Sequence, residues 1–474
     1  MSDSEVDPLS PARKIFCNRT LNLRGVRAIG YDMDYTLIHY YVDEWERAAF
    51  QHARDYLSNL GWPVEDLVFD PHAFTLGLTF DLDLGNLVKA TRFGYVTRAQ
   101  HGGKMLEFEQ QRRSYLGTVI DLSEDRFEFM NTLFELSRAA LWSQLVDLHD
   151  QSALPNITSY ARLYRVIDEA LTAAHLEGAL KAAIIADPER FVDFDPTVVE
   201  TLRDQRLAGK ELLLITNSEW SYTQKMMSWT FDRHMPSGET WRDLFDIVIV
   251  SASKPRFFSE RGPIYRIVDT ERGLLEPHWG RLEKGHAYHG GNASMVEASL
   301  GHDPAQHLYV GDHLFGDVHV TKDLLRWRTC LIARELEAEI EAATEFAASE
   351  HELEMMMDEK IELEHTHSTL RLARRRRVVE GEPHDQIDAR IDEVSREIDH
   401  IDSRIAPLAR ASTEQGNPTW GPLMRSGVDK SLFARQVEKY ADAYTSRVAN
   451  FAAETPYAYL RAARGSLPHD ASRR

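Results

Sequence analysis

The sequence has little cysteine: only Cys17 and Cys330 occur among its 474 residues. Two thiols cannot form a disulfide framework or a four-thiolate zinc site, and so low a number is typical of a reducing compartment. No apolar run approaches the roughly 20 residues that a membrane-spanning helix needs. Residues 1–14 contain no apolar signal region. We therefore expect a cytoplasmic protein that does not insert into a membrane.

Positive charge is scarce beside negative charge: 55 basic and 75 acidic residues give a formal net charge of -20. Such a surface repels nucleic acids and anionic membranes, so we predict neither as a partner. It also repels phosphorylated substrates, so a site for one needs local cations. The sequence contains neither a Walker-type GxxxxGK[ST] nor an HExxH motif. This argues against a P-loop nucleotide triphosphatase and against that class of zinc enzyme.

Five short apolar runs predict buried strands. They are Val26–Tyr31, Leu212–Ile215, Phe245–Val250, His307–Val310 and Thr329–Ala333. Helical patterns lie between the later runs, and this alternation indicates a parallel sheet flanked by helices, an α/β fold. Ligands bind at the carboxyl ends of the strands in such sheets. Here those ends carry Asp32, Thr216, Ser251 and Asp312.

The spacing of these runs predicts the domain organisation. Roughly 180 residues separate the first two strands, far more than a simple crossover needs. We therefore predict a large, mainly helical cap inserted after the first strand, over the active edge of the sheet. The predicted segments are 1–45 (first part of the core), 46–200 (cap), 201–345 (second part of the core), 346–410 (helical hairpin) and 411–474 (a helical segment that packs on the core).

The hairpin is predicted from composition and periodicity. Residues 335–381 are rich in helix-favouring Glu, Ala, Met and Arg. An apolar heptad seam follows at Ile387, Ile391, Val394, Ile398, Ile401 and Ile405. A turn at residues 381–383, Gly-Glu-Pro, makes the two helices antiparallel. We expect a structural hairpin, with an oligomer contact as the alternative.

Two acid pairs follow predicted strands. Asp32 and Asp34, in Tyr-Asp-Met-Asp-Tyr-Thr-Leu, are spaced so that one carboxylate can attack phosphorus while the other transfers a proton. Asp312 and Asp317 come after the fourth strand, in Gly-Asp-His-Leu-Phe-Gly-Asp. Magnesium prefers oxygen ligands. Asp32, Asp312 and the backbone carbonyl of Asp34 can supply them, with Asp317 beside or directly behind these ligands. Each motif alone is also compatible with an acidic turn.

Two further motifs suit phosphate binding. Thr216, Asn217 and Ser218 offer hydroxyl and backbone N–H groups at a strand-to-helix turn, although the same residues also favour a helix N-cap. Lys254, in Ser-Ala-Ser-Lys-Pro, offers a fixed ammonium that can offset the charge of phosphate and carboxylates. The order acid pair, hydroxyl, lysine, acid pair, each at a strand end, is much more specific than any single motif.

In this order of motifs the chain resembles the haloacid-dehalogenase (HAD) superfamily, whose core is Rossmann-like. Nearly end to end it is also similar to the cytosolic purine 5'-nucleotidases that prefer IMP and GMP. The similarity is carried by KIFCNRTLNL, GYDMDYTL, LTFDLDLGNLVKA, FMNTLFEL, ITNSEWSYTQKMM, SASKPRFF, VGDHLFGDV, WRTCLIARELE, WGPLMRSG and FARQVEKYADAY. The resemblance implies a nucleophilic Asp32, an acid/base Asp34, phosphate binding by Thr216 and Lys254, and metal binding at Asp312 and Asp317.

The resemblance also implies a substrate pocket in the cap. Phe134 would stack on the base, and His175 and Lys181 lie where the family has His and Lys. One departure matters: relatives place Arg and Asp upstream of that His, where this chain has Asp168 and Thr172. Without that Arg, a donor for the 6-oxo group of a purine is missing.

The sequence thus predicts a Mg²⁺-dependent phosphatase that hydrolyses nucleoside 5'-monophosphates, with a purine as the expected base, through an aspartyl phosphate. Two alternatives remain open at this point. One is hydrolysis of another phosphate ester, or transfer of phosphate to a second nucleoside. The other is a non-catalytic nucleotide-binding assembly protein built on the same fold. By resemblance we also predict a homo-oligomer, a dimer or tetramer.

Overall fold

The structure, a computed structural model, describes residues 10–176 and 178–462, without the side chains of residues 174–176 and 179. The described chain divides into two compact units. One contains the residues up to Glu337 together with those from Leu423 onward, and the other is Ala338–Pro422. Among the described residues, none of the helices combines the length and apolar composition that a membrane span requires. The finer division into five segments stays a prediction.

A ten-stranded sheet forms the centre of the first unit. In spatial order its strands are Phe16–Cys17, Ala443–Thr445, Arg328–Ile332, His307–Gly311, Ala28–Tyr31, Glu211–Ile215, Ile247–Val250, His286–Gly290, Ile264–Asp269 and Leu274–Pro277. The run from Ala443–Thr445 to His286–Gly290 is parallel, and the outer strands are antiparallel. The predicted α/β fold is confirmed, and each predicted strand lies within two residues of its observed bounds.

The strands are continuous apolar runs because both faces of the sheet are covered. Every residue of Ala28–Tyr31 and of Ile247–Val250 is buried. Ile249 belongs to a core cluster with Phe257, Phe258 and Val296 from the helices that follow in the chain. The helices of this part are Thr197–Leu207, Trp220–Phe231, Arg256–Ser259, Ala293–Leu300 and Leu432–Tyr440. Packing on two faces leaves the carboxyl edge of the sheet as the place where polar side chains gather.

The inserted region contains both helices and a second sheet. Its helices are Val42–Asn59, Phe108–Tyr115, Leu136–Asp150, Tyr160–Leu176, Ala179–Ala186 and Pro188–Phe191. An antiparallel sheet is formed by Lys104–Met105, Val96–His101, Asn86–Ala90, Thr79–Asp81 and Phe127–Phe129, in that spatial order. The mainly helical cap therefore also carries five strands. Residues 78–84, Leu-Thr-Phe-Asp-Leu-Asp-Leu, alternate in hydropathy as a half-buried strand does, so the sequence held a signal for one of them that was not used.

The segment after the hairpin is less helical than predicted. Within its described part, Leu432–Tyr440 is a helix, but Ala443–Thr445 is a strand that pairs in parallel with Arg328–Ile332. Short strand pairs join Arg425–Ser426 to Asp429–Lys430 and Leu21–Asn22 to Tyr459–Leu460. Elsewhere in the first unit, a third short pair joins His39–Tyr40 to Val192–Asp193. A three-residue strand is too short to show a hydropathy period, which is why the sequence did not reveal Ala443–Thr445.

The second unit is the predicted antiparallel hairpin. It contains most of the helix Leu336–Glu380 and all of Asp385–Thr413, with the turn between them at the predicted place. Met356 packs with Ile401 and Ile405, while further along Arg374 forms an ion pair with Asp388. Residues nearer the end of the first helix thus contact residues nearer the start of the second, as antiparallel packing requires. Within the predicted seam, Val394, Ile401 and Ile405 are buried.

Candidate active site

Three of the four predicted strand-end residues line one cavity of about 500 Å³. Backbone bonds fix their positions: the Asp32 N–H donates to the Val310 carbonyl, and the Thr216 N–H to the Ile249 carbonyl, both at 2.9 Å. Asp312 completes the three. The fourth, Ser251, has its N–H bound to the Ser218 carbonyl at 2.9 Å and is not among the residues that line the cavity. Parallel register therefore concentrates the predicted chemistry at one edge of the sheet.

Three carboxylates meet at one end of this cavity. Asp32, Asp312 and Asp317 each place an oxygen within 4.8 Å of the others. Asp317 reaches the cluster because residue 311 is glycine: a Cβ there would lie 2.4 Å from Asp317 Oδ2. The same carboxylate is oriented by the His313 N–H, which donates to its Oδ2 at 3.2 Å. Sequence positions almost 300 residues apart thus converge on one point.

Lys254 lies within this carboxylate cluster. Its Nζ is 2.8 Å from Asp32 Oδ2 and 2.8 Å from Asp317 Oδ1, and it donates to the Tyr309 hydroxyl at 3.0 Å. An ammonium has three N–H donors, so all of them have partners. Burial opposes the charge of Lys254, but Asp317 and Asp32 outweigh burial and hold its pKa well above the usual value. The residue is therefore a fixed positive charge.

The cluster carries more negative than positive charge. Burial raises the pKa of Asp32 to about 6, partly opposed by Lys254. Burial and the neighbouring Asp32 and Asp317 raise the pKa of Asp312 well above its usual value. Ionisation of all three carboxylates beside one ammonium would leave two negative charges to be compensated, and all the available ligand atoms are hard oxygens. This charge and this donor set fit a divalent cation such as Mg²⁺.

Asp34 faces the same cavity and is held through both of its carboxylate oxygens. Tyr40 donates to Oδ1 at 2.5 Å, and Ser218 donates to Oδ2 at 2.7 Å. The Tyr40 hydroxyl lies 3.0 Å from that of Tyr222. Burial raises the pKa of Asp34 above its usual value, and the bond from Tyr40 partly opposes this rise. A buried carboxyl with a raised pKa can hold a proton for transfer.

The turn at Thr216, Asn217 and Ser218 does not cap the following helix. The N-cap position is Glu219, and no side chain bonds there in the manner of a cap. Thr216 Oγ1 accepts from the Ser218 N–H at 3.1 Å. Asn217 binds the Lys254 backbone twice, accepting from its N–H at 2.6 Å and donating to its carbonyl at 3.1 Å. The three side chains line the cavity, but two of them also orient Lys254 and Asp34.

The cap supplies the opposite wall of the cavity. Phe134 lines it and contacts Tyr35 and Trp45, with ring centroids 4.5 and 5.2 Å away. Lys181 also lines it, and its Nζ lies 2.6 Å from Glu219 Oε2 and 3.4 Å from Ser218 Oγ. The side chain of His175 lies outside the described residues. The structure therefore brings two of the three predicted cap residues to the cavity.

Several residues at the cavity were not predicted. Thr132 donates from Oγ1 to Asp312 Oδ2 at 3.1 Å, which joins the cap to the carboxylate cluster. Tyr40 and Tyr309 hold Asp34 and Lys254. Arg138 and Glu135 line the wall near Phe134. The available signals were weak: a tyrosine in an apolar strand suits a core equally well, and Thr132 lies in a loop whose path the sequence does not reveal.

Comparisons with known proteins match most of the chain. The model of a family described as the 5' nucleotidase family matches residues 15–472. Human 5'-nucleotidase domain-containing protein 2 is 33% identical over 348 residues, which are 70% of this chain and 65% of that protein. The chain thus matches slightly less than two thirds of the length of this relative.

Solved structures are similar at a lower level. CbbY from Rhodobacter sphaeroides, in complex with phosphate, is 14% identical with a TM-score of 0.25, covering 65% of this chain and 86% of that one. An archaeal beta-phosphoglucomutase from Pyrococcus sp. Strain ST 04 is 8% identical with a TM-score of 0.31, with the same coverages of 65% and 86%. At these scores the likeness carries no argument about function.

Proposed function

We propose, from the premise that this chain belongs to the 5' nucleotidase family, that it hydrolyses purine nucleoside 5'-monophosphates with a divalent cation. The observation that carries the proposal is the joint presence, in one cavity, of the Asp32, Asp312 and Asp317 carboxylates, Lys254 and the aromatic ring of Phe134. The three carboxylates suit a divalent cation, the Lys254 ammonium suits a phosphate group beside that cation, and the ring suits a flat heterocycle. A cavity of about 500 Å³ has the size of a small-molecule site.

In the proposed reaction Asp32 is the nucleophile. One carboxylate oxygen attacks phosphorus, the bond from phosphorus to the ribose 5'-oxygen breaks, and protonated Asp34 gives its proton to that leaving oxygen. Asp34 then removes a proton from water, which attacks phosphorus and breaks the bond to Asp32. The bonds from the Met33 N–H, at 2.8 Å, and from Lys254 support this role because they fix the carboxylate in one orientation.

The residues around phosphorus supply charge and position. Lys254 offsets the negative charge that the phosphate brings to an acidic site, and the Thr216 hydroxyl and the Asn217 N–H, at the same turn, bind its oxygens. Asp32, Asp312, Asp317 and the Asp34 carbonyl would hold the divalent cation. When bound, such a cation neutralises the oxygens of the transferring phosphoryl group. Lys181, whose Nζ lies 3.4 Å from Ser218 Oγ, adds a second ammonium at the cap side, and Glu219 partly offsets its charge.

Phosphate release tests this proposal. The purified chain is assayed in MgCl₂ with a panel of nucleoside 5'-monophosphates and sugar phosphates, beside Asp32→Asn. We expect hydrolysis of the purine nucleotides, lost by at least about 1,000-fold in the variant, because the amide is a poor nucleophile. Asp125→Asn, at an exposed position in the cap, is the matched control and should keep wild-type turnover. Near wild-type activity of Asp32→Asn would contradict the assignment.

The same assay separates the remaining alternatives. Turnover of sugar phosphates without preference for nucleotides would reject the substrate class. A labelled nucleoside monophosphate formed from added nucleoside would show transfer instead of hydrolysis. The absence of phosphate release from every compound in the panel would favour a non-catalytic protein. We also infer a cytoplasmic location from the two buried, unpaired cysteines. The homo-oligomer stays a prediction.

A further inference from the structure

The long helix Leu336–Glu380 of the hairpin has a second side that the hairpin itself leaves uncovered. Its inner side packs on the other helix, where Met356 is buried with Ile401 and Ile405. Away from this contact, four large apolar side chains each expose more than half of their surface, and they are spread over 25 residues. They are Met355, Ile361, Leu372 and Val379. We call the side that carries them the outer face.

Charge is divided by sign along the same helix. Residues 350–364 include seven acidic residues and one lysine, whereas residues 371–377 include five arginines and no acidic residue. Some of these charges have partners within the hairpin, as Arg374 has in Asp388. Among the residues that the structure describes, none of six others takes part in an ion pair. These six are Asp358, Glu359, Glu362, Arg371, Arg375 and Arg376.

The acidic half of the outer face forms a shallow groove. The volume of the groove is about 610 Å³, and Met355 and Ile361 give it an apolar surface. Four acidic side chains surround them: Glu352, Asp358, Glu359 and Glu362. Such a groove suits a helix that presents apolar side chains together with positive charges.

The basic half of the same helix has this matching composition. Leu372 and Val379 are exposed there, and Arg375 and Arg376 lie between them in the sequence. The centres of the two halves are about 17 residues apart, or roughly 25 Å along the helix. When two copies of the helix lie antiparallel, the basic half of each meets the acidic groove of the other at the same time. The contact is then two-fold symmetric and closed, because both copies use the same surface.

We propose that a second copy of this chain docks antiparallel on the outer face of Leu336–Glu380, with the arginines of each copy against the acidic groove of the other. Parallel docking would place like charges opposite each other, which disfavours it. A nucleic acid would meet the arginines but also the acidic half beside them, which repels it. The pairing is independent of the proposed reaction, and because its charges are exposed it should weaken as salt is added.

Two charge-reversed variants of the full chain test this pairing. In the all-acidic variant the changes are Arg371→Glu, Arg375→Glu and Arg376→Glu. In the all-basic variant they are Asp358→Arg, Glu359→Arg and Glu362→Arg. Both Glu and Arg favour helix, so the hairpin itself should persist, which circular dichroism checks. Sedimentation at low salt measures the mass of each protein and of an equimolar mixture of the two.

The pairing predicts a specific set of masses. Each variant alone should have half the mass of the wild type, because its two halves carry the same sign and repel those of a second copy. The mixture should regain the wild-type mass, since every acidic half then meets a basic one. Such recovery also requires both variants to be folded.

A control separates this effect from a change in net charge. The variant with Arg24→Glu, Arg112→Glu and Arg113→Glu reverses three exposed arginines outside the hairpin and should keep the wild-type mass. A monomeric wild type, or charge-reversed variants that each keep the wild-type mass, overturns the inference. Variants that lose mass but do not regain it when mixed also overturn it, because complementary charge is then not what joins the copies.

Discussion

The Lys254 ammonium lies 2.8 Å from Oδ2 of Asp32, and this ion pair favours the ionised form of the proposed nucleophile. The Tyr309 hydroxyl, 3.0 Å from the same ammonium, donates to the Ile215 carbonyl at 3.0 Å. The ring of Tyr309 fits there because residue 30 is glycine: a Cβ would lie 2.9 Å from the ring. One glycine in the central strand therefore helps to position a lysine more than 200 residues away.

Lys254→Met should lower kcat by roughly 100- to 1,000-fold, the usual loss when a preorganised electrostatic group is removed from an active site. The side chain keeps its length but no longer offsets the charge of Asp32, Asp317 and the phosphate. Steady-state kinetics measures the loss. Tyr309→Phe is the matched control, since it keeps the ammonium and removes one of its partners, and it should cost less than tenfold. Equal losses in both variants would mean that packing and not charge is responsible.

Divalent cations should stabilise the protein. At a concentration about 100 times its Kd, Mg²⁺ adds about 2.7 kcal/mol to the free energy of unfolding, because it binds only the native carboxylate cluster. Thermal unfolding after chelation, with and without added MgCl₂, measures the rise in Tm. Asp312→Asn should lose most of this rise, whereas Asp125→Asn should keep it. A rise that is the same in Asp312→Asn would place the cation elsewhere.

Glu46 should make stability depend on pH. It is fully buried, its Oε2 accepts from the Ser137 N–H at 2.7 Å, and burial raises its pKa from 4.5 to about 7. Below pH 4.5 the carboxyl is protonated in both the native and the unfolded chain. As the pH rises through 7, the native protein must either keep the proton or bury a charge, so the free energy of unfolding falls.

The size of this effect follows from the shift in pKa. The loss due to Glu46 is on the order of 3 kcal/mol between pH 4.5 and 8. Chemical denaturation of chelated protein across this range measures it. Glu46→Gln should flatten the dependence by that amount, while Glu109→Gln, in the exposed first turn of Phe108–Tyr115, should leave it unchanged. An equally steep dependence in Glu46→Gln would show that other groups cause it.

Gly311→Ala should impair both stability and turnover. The new methyl group would lie 2.4 Å from Asp317 Oδ2 and 2.8 Å from Asp317 Cβ, so the buried Asp317 must move. Overpacking of this kind costs about 1–3 kcal/mol and here displaces a proposed cation ligand. Thermal unfolding and kcat are measured together. Gly25→Ala is the control, since its nearest contact would be the flexible Asn22 side chain at 3.3 Å, and it should change neither Tm nor kcat. A Gly311→Ala variant with wild-type Tm and kcat would contradict this geometry.

The sequence predicted the parts of the fold that repeat a simple pattern. Buried parallel strands are continuous apolar runs, so Glu211–Ile215 and Ile247–Val250 were recognisable, and so was the polar residue after each strand. The heptad seam predicted the hairpin for the same reason. Ala443–Thr445 was missed because three residues between a helix and a loop carry no period. Local patterns therefore located the carboxylate cluster but not every strand around it.

Side-chain partners could not be predicted in the same way. Asn217 was expected to bind phosphate, and its side chain is bound at both ends to the Lys254 backbone. Arg138 drew no notice because a single arginine at the start of an apolar helix is usually solvated. Its side chain forms ion pairs with Glu135 and Asp168, and the contact with Asp168 joins two helices. Such contacts depend on tertiary packing, which residue spacing does not specify.

Trapping the covalent intermediate tests the central claim most directly. The enzyme is mixed with substrate and Mg²⁺, quenched within milliseconds, and treated with borohydride, which reduces an acyl phosphate on aspartate to homoserine. Peptide mass spectrometry then identifies the modified residue. We predict homoserine at position 32, in amounts that depend on substrate. Modification of another carboxylate, or no modification of Asp32 while substrate is being turned over, would contradict nucleophilic attack by Asp32.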